Sequence, residues 1–282
     1  MMRFSKLFVS LVLLGLAATA AAPAPPSDGS DRNLDDLLSA LPTGPAAAAV
    51  GSSVYRVTST LYNRDLAGKT TSKVRLTARY TRSVEGEEVS CVWNDARIAA
   101  PPDPSDPFPP GAPLDFLDGF DYRLSGEILG EDLYRDVPGA DLKHLVKTLV
   151  WDAAAMEPPF WDHFDRLELN RDYVVPGFED TTLALGNWGA LRMKNLRMRW
   201  AGVSKVNGET CAVILYRSLA NPVRQGAAGP GGRSLYWGTI DVSLGDKQVQ
   251  VFTMIEDVIL EMPAAPGAMN LQREVRFDRL AP

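Results

Sequence analysis

Hydrophobic and polar residues alternate with a period of two along most of this chain. In 54–61, Tyr55, Val57 and Leu61 alternate with Arg56, Thr58 and Thr60; in 74–81, Val74, Leu76, Ala78 and Tyr80 alternate with Arg75, Thr77, Arg79 and Thr81. Successive side chains of a strand point to opposite faces, so each run predicts a half-buried antiparallel strand. Val89, Cys91 and Trp93 continue the pattern beyond a turn at Glu85-Gly86, and 122–128 resumes it. The second half predicts strands at 167–175, 183–185, 191–200, 210–217, 235–244, 248–261 and 270–280, with Asn207-Gly208 as a type I′ hairpin turn. Seven prolines in 101–113 predict an extended segment barred from any central ladder.

Two segments break the period of two. Leu142, Leu145, Val146, Leu149, Val150, Ala153 and Met156 recur near every 3.6 residues until Pro158-Pro159, which predicts a long amphipathic helix. Leu34, Leu37, Leu38 and Leu41 share one face of a shorter helix that Pro42 ends. The fold class expected is mainly β: a curved antiparallel sheet, as a half-barrel, a barrel or two related β units, with one long helix and a short N-terminal one. The corresponding division is a signal peptide at 1–22, a linker with the leucine helix at 23–53, a first β unit at 54–139, a connecting helix at 140–157 and a second β unit at 158–282. An offset of 120 aligns Arg79-Tyr80 with Arg199-Trp200, Cys91 with Cys211 and Arg97 with Arg217, which suggests an internal repeat.

The first 22 residues change the picture by setting a compartment. Arg3 and Lys6 precede an apolar run at 7–16, and Ala18, Ala20 and Ala22 supply the small residues of a cleavage site. The run is too short for a spanning helix, which needs about 20 apolar residues. The expectation is an exported, soluble protein, periplasmic or extracellular. No asparagine begins an N-x-Ser/Thr acceptor, and with the Ala- and Pro-rich composition this points to a bacterial source. The net charge of -6 argues against nucleic acid and acidic lipid surfaces as partners, since those affinities come from clustered Lys and Arg. Oligomeric state is not legible.

Export also gives Cys91 and Cys211 a possible role. Both fall in strands of an exported chain at equivalent places in the two halves, so they are the candidate disulfide. Candidate catalysis is sparse. His144 reads as a solvated helix-surface residue grouped with Lys147, Thr148 and Trp151. His163, within Trp161-Asp162-His163-Phe164-Asp165, could act as a general base oriented by Asp162 or Asp165, the weak basis for a secreted hydrolase. No G-x-S-x-G elbow accompanies it, and no H-x-x-x-H or C-x-x-C motif suggests a metal or other cofactor. Asp115, Asp118, Gly119 and Asp121 lack the spacing of a calcium loop and read as an acidic turn. Trp93, Trp200 and Trp237 fall on strands and would line a cavity if the sheet encloses one.

The general plan resembles the half-barrels of lipoprotein and lipid carriers of the bacterial envelope, in architecture and without a motif that carries it. The expected function is therefore a non-catalytic envelope protein that binds a hydrophobic small molecule or an envelope protein partner. The alternatives are the His163 hydrolase and a structural subunit of an envelope complex.

Overall fold

The computed structural model describes residues 51–280 other than 87, 125–129, 157–160, 181, 185–189, 225–230 and 263–266. The expected signal peptide and leucine helix lie outside the described residues. Among the described residues, alternation becomes a single open antiparallel sheet of 13 strands. The long strands are β1 (Gly51–Arg64), β2 (Thr70–Glu85), β3 (Glu88–Ala99), β9 (Arg197–Val206), β10 (Glu209–Arg224), β11 (Gly231–Ser243), β12 (Val249–Met262) and β13 (Gly267–Arg279). Short ones are β4 (Ala112–Pro113), β5 (Phe120–Arg123), β6 (Tyr173–Val174), β7 (Thr182–Ala184) and β8 (Ala190–Arg192).

The order is β4-β3-β2-β1-β13-β12-β11-β10-β8-β7, with β5 on β3, β9 on β10 and β6 on β9. Each half runs as an up-and-down meander, and the first and last long strands meet in the middle, Val57 opposite Phe277. The strands of both expected units thus belong to one sheet. Asn207 and Gly208 both take positive φ, 52° and 83°, the requirement of a type I′ turn, and join β9 to β10 directly. The proline-rich segment reaches the sheet only at its edge, where Pro113 faces Arg97 and no inward N–H is needed.

One face carries the core. Tyr55, Val57, Leu76, Ala78, Tyr80, Trp93, Phe252, Met254, Val275 and Phe277 are buried there in the alternating register read from the sequence. Among the described residues one α-helix, α1 (Ala140–Ala154), packs on that face, with Val146, Leu149, Val150 and Ala153 buried. No described helix is long and apolar enough to cross a membrane.

Three local departures have physical causes. The segment 191–200 is two strands, because Met193 and Leu196 between β8 and β9 turn into the core at no exposure. Residues 167–175 contribute only the two-residue β6, following a 3-10 turn over Trp161–Arg166. β10 bulges between Ser218 and Asn221 with Ala220 at φ 60°. The buried Asn221 side chain stabilises this bulge: its Oδ1 accepts from Lys194 N at 3.0 Å and Ser218 Oγ at 2.9 Å, and its Nδ2 donates to Ser234 O at 3.3 Å.

The expected Cys91–Cys211 bond is absent, and both cysteines are buried as thiols outside any disulfide. Six strand-to-strand steps separate β3 from β10, roughly 29 Å along the sheet, whereas a disulfide needs Cα atoms within about 7 Å. The two also face opposite ways. Cys91 points into the core and accepts from Tyr80 Oη at 3.0 Å. Cys211 alternates with the inward Ala212, Ile214 and Tyr216, so it lies on the other face, opposite Ser243. The 120-residue offset keeps Tyr80 and Trp200 both inward but reverses facing at the cysteines, because Tyr80 pairs with Trp93 whereas Trp200 pairs with Ile214, one residue past the equivalent position, beside an irregularity at Val213/Ile214. Burial, with Asp241 and Glu209 nearby, pushes the Cys211 thiol up to about 11.

Candidate functional site

Between α1 and the inner face of the sheet lies a cavity of about 400 Å³, within the 300–1,000 Å³ span of ordinary ligand pockets. Its sheet wall is aliphatic: Leu61 on β1, Val74 and Leu76 on β2, Ile98 on β3, Val223 on β10, Val258 and Leu260 on β12, and Leu271 on β13. The helix supplies the roof through Leu142, His144, Leu145, Lys147, Thr148, Leu149 and Trp151. Several wall residues are only half-buried, among them Leu61, Val74, Val258 and Leu271, although they point inward. An inward aliphatic side chain that remains partly accessible marks unfilled space.

Arg273 and Glu256 form the polar band of this cavity. Arg273 Nη1 donates to both carboxylate oxygens of Asp152 at 2.6 and 2.5 Å, while Nε and Nη2 donate to Glu256 Oε2 at 3.0 and 2.7 Å. Ser234 Oγ donates to the other Glu256 oxygen at 2.7 Å. Asp152 comes from α1, Arg273 from β13 and Glu256 from β12, so one guanidinium ties the helix to two strands. All the guanidinium's nitrogens are used in that way. Asp152 has no exposure. Its desolvation outweighs the attraction of Arg273 and pushes its carboxyl up to about 6, while Asp152 and Glu256 raise Arg273 further against the cost of its own burial.

Lys147 holds the solvent edge. Its ammonium bonds the Glu131 carboxylate and stands 5.3 Å from the centre of the buried Tyr134 ring. The hydrogen bond from Lys147 holds Glu131 below the usual carboxylate range.

The residues singled out in the sequence have different places. His144 is not a solvated surface residue: it lines the cavity, because α1 is roofed over the sheet and the side chains of 144, 147, 148 and 151 turn towards the space beneath. His163 lies outside it, half-buried, with Nδ1 3.2 Å from Tyr173 Oη and the rings 5.4 Å apart. The side chains of Asp162 and Asp165 lie outside the described residues. Trp93 and Trp200 have no exposure and pack the core, Trp93 against Tyr80 at 4.9 Å, while Trp237 stands half-exposed on the outer face. None of the three is among the cavity's lining residues.

Trp151 does line it, as do Asp152's partners, and these were missed. A helical stripe of apolar residues marks the face against the core, but a single acid within such a stripe was a legible signal of a buried ion pair. Elsewhere Asp172 gathers Arg199 and Arg217, each at 2.7 Å, and the hydrogen bond from Arg199 lowers its carboxyl. Among the described residues, no three His, Cys, Asp or Glu side chains cluster as a metal site.

No family model matches this chain, and no curated protein matches it. Among solved structures, the chain has a slight likeness to the crystal structure of a DUF1329 family protein from Desulfovibrio piger. The two are 10% identical over 82% of this chain and 88% of that chain, with a TM-score of 0.11, a likeness too small to carry any argument.

Proposed function

We propose that this protein is a non-catalytic carrier or receptor for a hydrophobic ligand, held between α1 and the sheet, and that it works outside the cytoplasm in the bacterial envelope. One observation carries the reading: the cavity of about 400 Å³ whose sheet wall is almost wholly aliphatic. A bound apolar chain would complete the dispersion contacts of the aliphatic side chains that line a space of this size. The leader-like first 22 residues support the compartment.

The test begins with the purified full chain. Organic-solvent extraction followed by mass spectrometry is expected to release a co-purifying apolar compound, and the extracted protein is expected to take up a fluorescent fatty acid. Leu271→Trp, which fills the cavity from β13, is expected to abolish uptake while leaving the far-UV circular dichroism unchanged. A clean extract together with no uptake by the native protein would overturn the reading.

A further inference from the structure

The charged groups of the cavity come from both the sheet and the helix, and they are unequally committed. Two cationic side chains line the space, Arg273 and Lys147. Arg273 is consumed by two acids, Asp152 with no exposure and Glu256 with 13%. Such a closed triad offers no donor to a guest. Lys147 differs in one respect: its own side chain is 11% exposed but that of its partner Glu131 is 77% exposed. An exposed carboxylate gains little from an ion pair, since water solvates it equally well. The desolvated ammonium gains much more from any anion beside it. Tyr134, fully buried, backs the ammonium and keeps it at the cavity edge. Thr148 and His144, one turn or less away on the same helix, line the same space, with Thr148 Oγ1 donating to the His144 carbonyl at 2.9 Å.

We propose that the ligand is a single-chain amphiphile with an anionic head, its chain laid along the aliphatic wall of β1, β2, β12 and β13 and its head bound at Lys147, where it displaces Glu131. This deepens the proposed function and rests on it. An apolar wall alone would accept any hydrocarbon; the replaceable Lys147–Glu131 pair selects the charged one. Carboxylate and phosphate heads share the chemistry, a compact anion able to accept from an ammonium.

The probes are cis-parinaric acid, its uncharged methyl ester, and a long-chain alkyl phosphate as a competitor, titrated into the extracted full-length protein. The native protein is expected to prefer acid to ester by about tenfold or more, the scale of a charge-assisted hydrogen bond. Lys147→Met, which keeps the aliphatic stem, is expected to bring the acid-to-ester affinity ratio down to about one, and Lys147→Arg to retain the preference. Glu131→Gln is expected to tighten binding of the acid several-fold and not of the ester, an effect that a merely structural lysine would not produce. Displacement by the alkyl phosphate at lower concentration than by a fatty acid would assign the head as phosphate, and the reverse order as carboxylate. Equal binding of acid and ester by the native protein would overturn the anionic head and leave the apolar ligand standing. So would loss of preference in Lys147→Arg as well as Lys147→Met. Binding of neither probe would overturn the proposed function itself.

Discussion

Strands β1, β2, β12 and β13 each carry two different inner faces, one at either end. Towards one end the inward residues are Tyr55, Tyr80, Phe252 and Phe277, all essentially without exposure, with Trp93 from β3 completing the cluster. Ring centroids there lie 4.9 to 6.5 Å apart, in tilted and edge-on arrangements that aromatic rings favour. Towards the other end the same strands present Leu61, Val74, Val258 and Leu271, and the space beneath α1 stays open. The backbone register is continuous through both ends, Tyr55 to Arg64 facing Arg279 to Asn270 without a break. Side-chain volume therefore decides which end fills. An identical hydrophobic pattern can produce either a packed core or a binding cavity.

The largest effect should come from the packed end. Phe277→Ala removes the ring that touches Tyr55, Tyr80, Trp93 and Phe252, and a loss of about 3–5 kcal/mol is expected in urea denaturation. If the loss were under about 1 kcal/mol, the aromatic cluster would not be the solid core described.

Next is the polar band between the two ends. Arg273→Met leaves Asp152 and Glu256 buried without their cation, at an expected cost of about 3 kcal/mol or more. Asp152→Asn is expected to cost less, because an uncharged amide at that place is cheaper to bury than an ionised carboxylate. Comparing urea midpoints of the two variants at pH 7 checks the order.

The same carboxyl makes a pH prediction. Its folded value near 6 stands above the ordinary 3.8, so the native state binds the proton more tightly than the unfolded chain. The resulting stabilisation is complete below about pH 4 and is lost as pH rises through about 6. With one unit worth about 1.4 kcal/mol, the native protein should lose up to roughly 3 kcal/mol relative to Asp152→Asn between pH 4 and pH 7. Chemical denaturation of both proteins across that range reads it directly, and a difference that is constant with pH would refute it.

The smallest effects should distinguish filled from hollow. Val57→Phe, at the packed end where Val57 has no exposure, is expected to destabilise by about 1–3 kcal/mol through overpacking. Leu271→Phe, at the cavity, should be neutral or raise stability by up to about 1 kcal/mol. Thermal melting would show opposite signs for these two additions of a ring; equal losses would mean that the cavity end is as tightly filled as the aromatic end.

Much of the fold was legible because strand alternation is a local property. Tyr55, Val57, Leu76, Tyr80 and Trp93 point inward as their spacing implied, and Asn207-Gly208 turns as its residue types require. The cysteine pairing was not legible, since facing depends on register across a hairpin and distance depends on strand order. The cavity was half legible. Its aliphatic lining reads as ordinary strand face, and its helix residues His144, Lys147 and Trp151 read as the solvent side of an amphipathic helix. Their placement beneath α1 follows from where the helix crosses the sheet.

By itself the sequence determined the periods of two and 3.6, hence antiparallel strands and the amphipathic helix α1, because backbone geometry converts spacing into facing without outside help. Only the tertiary structure decided that the two meanders join through β1 and β13 into one sheet, that Asp152, Arg273 and Glu256 meet, and that small side chains at one end of four strands leave a cavity. Those outcomes depend on contacts between residues far apart in the chain, such as the 121-residue separation between Asp152 and Arg273, and on summed volumes that no local pattern encodes.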